Sequence, residues 1–74
     1  MAKDKLLTAI GNAVRKRRLA FELSQDKFAD RISMHRAYYS AIERGEKNLS
    51  LRLLSRVAAG LKVSLSSLLS DAGY

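Results

Sequence analysis

The sequence predicts an all-α protein, a compact bundle of five helices with no sheet. Three observations carry that reading. Apolar residues recur at three- and four-residue spacing in one segment after another, which is the period of a helix with one buried face. No Pro and only 4 Gly occur in 74 residues, so little interrupts a run of helices. Serines that make good N-caps stand where successive segments should begin. The length allows one domain at most, expected to occupy residues 1–74, with a core near the lower limit for independent stability.

The first helix is expected from Asp4 to Leu19, with Leu6, Leu7, Ile10, Ala13 and Val14 as its apolar stripe. Gly11 lies inside it, at a cost of about 1 kcal/mol relative to Ala. Arg15, Lys16, Arg17 and Arg18 follow as a basic run. Four consecutive residues span a full turn and share no face, so the run reads as solvated charge, not as a patch. The stem of Arg17 is expected to cover core while its charge stays in water.

A second helix should begin at Ser24, with Asp26 in its first turn where the helix dipole favours an acid. Phe28, Ala29 and Ile32 share its buried edge, and Ala29 is small where the next helix must cross. After a tight corner, Met34, Tyr39 and Ile42 mark the inward edge of a third helix, which Gly45 can end in the left-handed conformation. Its outward residues are His35, Arg36, Ala37, Ser40, Ala41 and Arg44, small or cationic, with the one acid, Glu43, turned inward. Such a surface suits a groove carrying negative charge. Residues 25–44 thus form two short helices joined by a corner.

Asn48 or Ser50 can cap a fourth helix running to Gly60 or Leu61. Leu54, Val57, Ala58 and Leu61 hold helical spacing, and Leu51 extends the stripe upstream. Ser64 then caps a short last helix near residues 64–70 that carries Leu65, Leu68 and Leu69. Three large apolar residues in barely two turns exceed what so small a core can bury. Leu61, Val63, Leu65, Leu68 and Leu69 are therefore the expected material of a homodimer interface.

Residues 25–44 resemble the helix-turn-helix of the phage repressor and Cro family, the Xre-like regulators. Gln25 opens the motif with Ala29 close behind, and Met34, Tyr39 and Ile42 fall on its apolar positions. Ile10-Gly11, Val14-Arg15, Arg18, Leu23-Ser24-Gln25 and Ile42-Glu43-Arg44-Gly45 match the flanking phrases. His35-Arg36 with Tyr38, then Glu43-Arg44-Gly45 and Lys47-Asn48-Leu49-Ser50-Leu51, are similar to restriction–modification controller proteins. The likeness runs from about Leu7 to Leu69 and implies a lambda-repressor-like DNA-binding domain. It also implies that Arg18 pairs with Glu43, tying the first helix to the third. Ser33 and Lys62 depart from it, standing where the family prefers Gly.

Charge and chemistry agree with that implication. The 14 Lys and Arg against 7 acids leave +7, and nucleic acid is the commonest partner of so basic a domain. Arg36 can donate two bonds to guanine, Ala37 and Ala41 suit a thymine methyl, and Ser40 and His35 complete the base-contacting set. Gln25, Tyr38, Arg44, Lys47 and Asn48 are placed to hold phosphates on either side. The single His has no Cys or suitably spaced acid beside it, so neither a metal site nor a catalytic triad is expected. No enzyme activity, cofactor or small-molecule ligand is anticipated. No stretch approaches the ~20 apolar residues of a membrane span. The lack of Cys fits a cytoplasmic protein.

The expected function is a transcription regulator that binds double-stranded DNA as a homodimer on a roughly palindromic operator, in the manner of a restriction–modification controller. A second reading is an antitoxin-type interaction module with secondary DNA binding. A third, an RNA- or membrane-binding basic bundle, is disfavoured because no exposed aromatic platform and no broad apolar face opposite the charge is evident.

Overall fold

The computed structural model describes residues 4–74; the first three residues of the expected domain lie outside the described residues. Five helices follow one another: α1 (Lys5–Ala20), α2 (Gln25–Arg31), α3 (Arg36–Glu43), α4 (Leu51–Gly60) and α5 (Leu65–Asp71). No strand occurs among the described residues. α1 packs on both α3 and α5, while α2 packs on α3 and α4 on α5.

Each helix begins on a side-chain cap. Asp4, Ser24, Ser50 and Ser64 accept from the backbone N–H three residues on, at 3.0–3.1 Å. His35 accepts through Nδ1 from the N–H of Ala37, two residues on, at 3.3 Å. Each accepts from an amide that has no partner inside its helix.

A second regularity sits behind these caps. The residue just before the cap and the fourth helical residue are both apolar in four helices: Leu23 and Phe28, Met34 and Tyr39, Leu49 and Leu54, Val63 and Leu68. In every pair the second member is buried and the first packs against the same core. This is the spacing of a hydrophobic staple, which fixes the angle at which the chain enters a helix.

The staple corrects two expectations. Leu51 does not extend the buried stripe of α4; it is 73% exposed, and Leu49 on the other side of the cap packs on the core instead. Val63 likewise packs inward as a staple. Leu61 and Leu68 are fully buried in the core, so neither contributes to a dimer surface. Leu65 and Leu69 keep part of their surface in solvent. Leu6, expected in the stripe of α1, is exposed as well.

Four of the five helices, α2 to α5, also stop in a common way. Met34 N donates to Ala29 O, Glu46 N to Ala41 O, Val63 N to Ala58 O and Tyr74 N to Leu69 O, at 2.8–3.1 Å. These are the six-to-one bonds of a Schellman ending, each passing over a left-handed residue. Gly45 (φ 72°) is one such residue, but Ser33 (φ 53°) and Lys62 (φ 59°) adopt the same conformation with a side chain. Both departures from Gly noted in the sequence are therefore strained positions held by the turn around them.

Gly11 is an approach point. A Cβ there would stand 2.5 Å from the Glu43 carbonyl oxygen and 2.6 Å from that of Ile42. The end of α3 thus rests directly on the backbone of α1.

Candidate nucleic-acid interface

The corner between α2 and α3 is held from three sides. Phe28 and Tyr39 meet with ring centroids 5.1 Å apart, and Ala29 is buried beside them. From α4, Arg56 reaches across: its Nε donates to Ile32 O at 2.8 Å and its Nη2 to Ser33 O at 2.5 Å. Those carbonyls belong to the end of α2 and to the strained residue after it, so one guanidinium satisfies both. No sequence spacing pointed to Arg56.

The inner end of α3 is fixed by a buried ionic cluster. Arg18 Nε donates to Glu43 Oε2 at 2.6 Å and Nη2 to Oε1 at 3.0 Å. Its Nη1 donates to Leu23 O at 2.7 Å. The Tyr39 hydroxyl donates to Glu43 Oε2, and Gln25 Nε2 to Oε1 at 2.8 Å. Burial works to raise the Glu43 carboxyl, but the hydrogen bonds from Arg18, then Tyr39 and Gln25, outweigh it and hold the group below its usual range. Burial and then the neighbouring carboxylate push the Tyr39 phenol above its usual range, which keeps it a donor. Glu43 is therefore a charged anchor with its donors supplied from α1, α2 and α3.

With both ends fixed, α3 presents His35, Arg36, Ala37 and Arg44 to solvent, with Ser40 half-buried between them. Ala41, expected on this face, is only 6% exposed. The Schellman ending folds Glu46 back onto the Ala41 carbonyl, and Ala41 becomes the floor of a shallow groove walled by Ala37, Tyr38, Arg44 and Lys47. Ser40 Oγ accepts from Arg44 Nη1 at 2.7 Å, so one of its lone pairs is engaged. Gln25 has one amide hydrogen committed to Glu43 and one left over. The Tyr38 ring is half-buried, with the Lys47 ammonium 5.1 Å from its centroid. Asn48 is exposed in the following loop.

Two acids also stand on this surface: Asp26, expected only as a favoured acid in the first turn of α2, and Glu46. Asp26 Oδ2 accepts from Arg36 Nη1 at 2.8 Å, and Glu46 Oε1 from Arg44 Nε at 3.0 Å. Among the described residues no cluster of His, Cys, Asp or Glu could hold a metal ion. No single helix there is long and apolar enough to cross a membrane.

A short helix with small and cationic residues outward, locked at both ends and crossed by a capped partner helix, is the build of a helix-turn-helix regulator. The helix-turn-helix family model matches residues 14–68. The chain is 47% identical over 62 residues to the control protein C.MunI of a Mycoplasma species, covering 82% of this chain and 84% of that one. Its structure superposes on that of the clp gene regulator ClgR from Corynebacterium glutamicum with a TM-score of 0.90 at 29% identity, over 97% and 92% of the two chains. It also superposes on the restriction–modification controller protein C.Esp1396I, crystallised as a tetramer with its natural 35 base-pair operator. There the TM-score is 0.82 at 28% identity, over 97% of this chain and all of the other. The chain belongs to the helix-turn-helix family and, within it, to the restriction–modification controller proteins, which are regulators and not enzymes.

Proposed function

We propose that this chain regulates transcription by binding double-stranded DNA as a homodimer, with one α3 in the major groove of each half of a roughly palindromic operator. DNA binding and transcription regulation come with the family. The division of labour among residues is our own reading. Arg36 reads guanine, Ala37 meets a thymine methyl, and His35 and Ser40 contact base edges nearby. Ala41 acts from the groove floor as a small residue that lets the DNA approach. Gln25, Tyr38, Arg44, Lys47 and Asn48 hold phosphates on the flanks.

The observation that carries this reading is the exposure of Arg36, whose side chain is 70% accessible at the first turn of a helix fixed at both ends. A mobile helix would make the same arginine a general phosphate binder. One such helix covers only a few base pairs, too little to find a site in a genome, which is the argument for pairing. Leu65 and Leu69, one turn apart on α5 and both partly in solvent, are the residues we assign to the two-fold contact. The controller solved with its operator is itself a multimer, which supports pairing. Regulation of this kind would take place in the cytoplasm and needs no cofactor.

Selection of bound duplexes from a random DNA pool tests the proposal. The expected product is an inverted repeat containing guanine in each half, with half-site centres about one turn, roughly 34 Å, apart. A pool that yields no enriched sequence, or a single unpaired half-site, would overturn it.

A further inference from the structure

Arg36 is not a free side chain in this structure. Its Nη1 is held by Asp26 at 2.8 Å, a bond from the first turn of α2 to the first turn of α3. Both partners are exposed, at 70% and 58%, so nothing in the core demands the contact. A guanidinium carries five N–H donors in a rigid plane. With Nη1 engaged, Nε and Nη2 remain as a parallel pair, and neither has a hydrogen bond among the described residues.

Two other arginines in the molecule show what that pair does. Arg18 anchors Nη1 on the Leu23 carbonyl and turns Nε and Nη2 to the two oxygens of Glu43. Arg56 applies the same edge to the adjacent carbonyls of Ile32 and Ser33. In both cases the Nε/Nη2 edge meets two acceptors lying side by side. In the major groove, guanine presents N7 and O6 side by side.

We infer that Asp26 is a specificity-determining residue, a positioning group that holds Nη1 of Arg36 so that its Nε/Nη2 edge is offered to the paired acceptors of a guanine. This rests on the assignment of α3 as the DNA-reading helix. A second consequence follows from charge. The Asp26 carboxylate repels phosphate oxygens at the place where Arg36 would otherwise take one, so it weakens sequence-independent docking while it sharpens readout.

The test uses the full chain and three duplexes: the site selected from a random pool, the same site with its Arg36-dependent guanine changed to adenine, and an unrelated sequence. Asp26→Asn removes the charge and leaves at most a neutral, exposed hydrogen bond to Arg36, and Asp26→Ala removes the acceptor altogether and should give the same result. The expected result is a guanine-over-adenine preference lowered by roughly fivefold or more, out of the ~5- to 150-fold a bidentate contact supplies. Affinity for the unrelated duplex should rise by about threefold as the repulsion is removed. A loss of folding would lower both affinities together, so movement in opposite directions is the signature. Asp26→Glu, which restores the carboxylate, should recover most of the preference. In an Arg36→Ala background, Asp26→Asn should no longer alter it.

If the wild-type chain shows an Arg36-dependent guanine preference that Asp26→Ala leaves intact, the inference is wrong and the DNA-reading assignment stands. If Arg36→Ala itself leaves the preference intact, both fall.

Discussion

Removing Glu43 should damage folding before it damages DNA readout, and by an amount the structure allows to be estimated. The side chains of Arg18 and Glu43 are 7% and 2% exposed. Glu43→Ala takes the carboxylate from beneath four donors and leaves the Arg18 guanidinium buried with only the Leu23 carbonyl. Breaking a buried pair from one side costs about 3–5 kcal/mol. A chain of 74 residues has a total stability of roughly 4–11 kcal/mol at typical values per residue. The variant should therefore lose something near half its stability, read as a lower urea midpoint by circular dichroism at pH 7. The penalty belongs to the orphaned charge, so Arg18→Met combined with Glu43→Leu should recover most of it.

The same pair makes stability depend on pH. Glu43 in the folded chain titrates below its ordinary value of 4.5, so in acid the unfolded chain binds more protons there. The contribution is fully present above about pH 4.5 and is lost as pH falls through the depressed folded value. Glu43→Gln should flatten this part of the stability profile. A Glu43→Ala loss below ~1 kcal/mol, or a double-mutant cycle without coupling, would refute the reasoning.

Four further outcomes are expected. Arg36→Ala should weaken binding to the selected site by about 1–3 kcal/mol and relax preference at one base pair per half-site, measured by titrating single-base variants. Lys47→Ala should weaken binding to all sequences alike and reduce the slope of log K against log salt by ~1 per half-site. Gly11→Ala would gain helix propensity but drive a Cβ to 2.5 Å from the Glu43 carbonyl oxygen, a backbone atom with little room to yield. A net loss of ~1–3 kcal/mol, seen as a lower melting temperature, is the expected balance. Leu65→Asp with Leu69→Asp should give a helical monomer with poor operator binding, checked by sedimentation beside circular dichroism; an unchanged mass would remove α5 from the interface.

Much of the fold was legible because its signals are local. The period of Phe28, Ala29 and Ile32, or of Leu54, Val57, Ala58 and Leu61, needs only one helix to be meaningful, and a cap such as Ser24 acts within three residues. The errors lie where a local period was extended past the point at which the helix has a neighbour. Leu51 is in phase with Leu54, yet it is exposed, and Leu49 on the other side of the cap packs on the core in its place. The surplus of leucines at the C-terminal end was read as an interface because the core looked too small. Leu61 and Leu68 are instead buried in the core, and Val63 staples onto Leu68.

The site was legible to a lesser degree, and charge explains the difference. Counting charges gives an excess of cations without saying which of them are committed. Three of the four ion pairs among the described residues cross between elements, Arg18 to Glu43, Arg17 to Asp71 and Arg36 to Asp26, at separations no helical rule covers; the fourth, Arg44 to Glu46, is local. Among the described residues every ion pair uses an arginine, and no lysine takes part in one. The physical reason lies in the two head groups. A planar fork can hold one acceptor with Nη1 and still offer a second edge, as Arg18 does, whereas an ammonium is a strongly hydrated point charge. The arginines therefore carry position: they tie α1 to α3, α4 to the corner, and the start of α3 to that of α2. The uncommitted lysines are left to attract the phosphate backbone, a task that needs charge and no fixed orientation. On this division, changes to Arg18, Arg56 and Arg36 should alter folding or sequence preference. Changes to exposed lysines should alter only affinity and its dependence on salt.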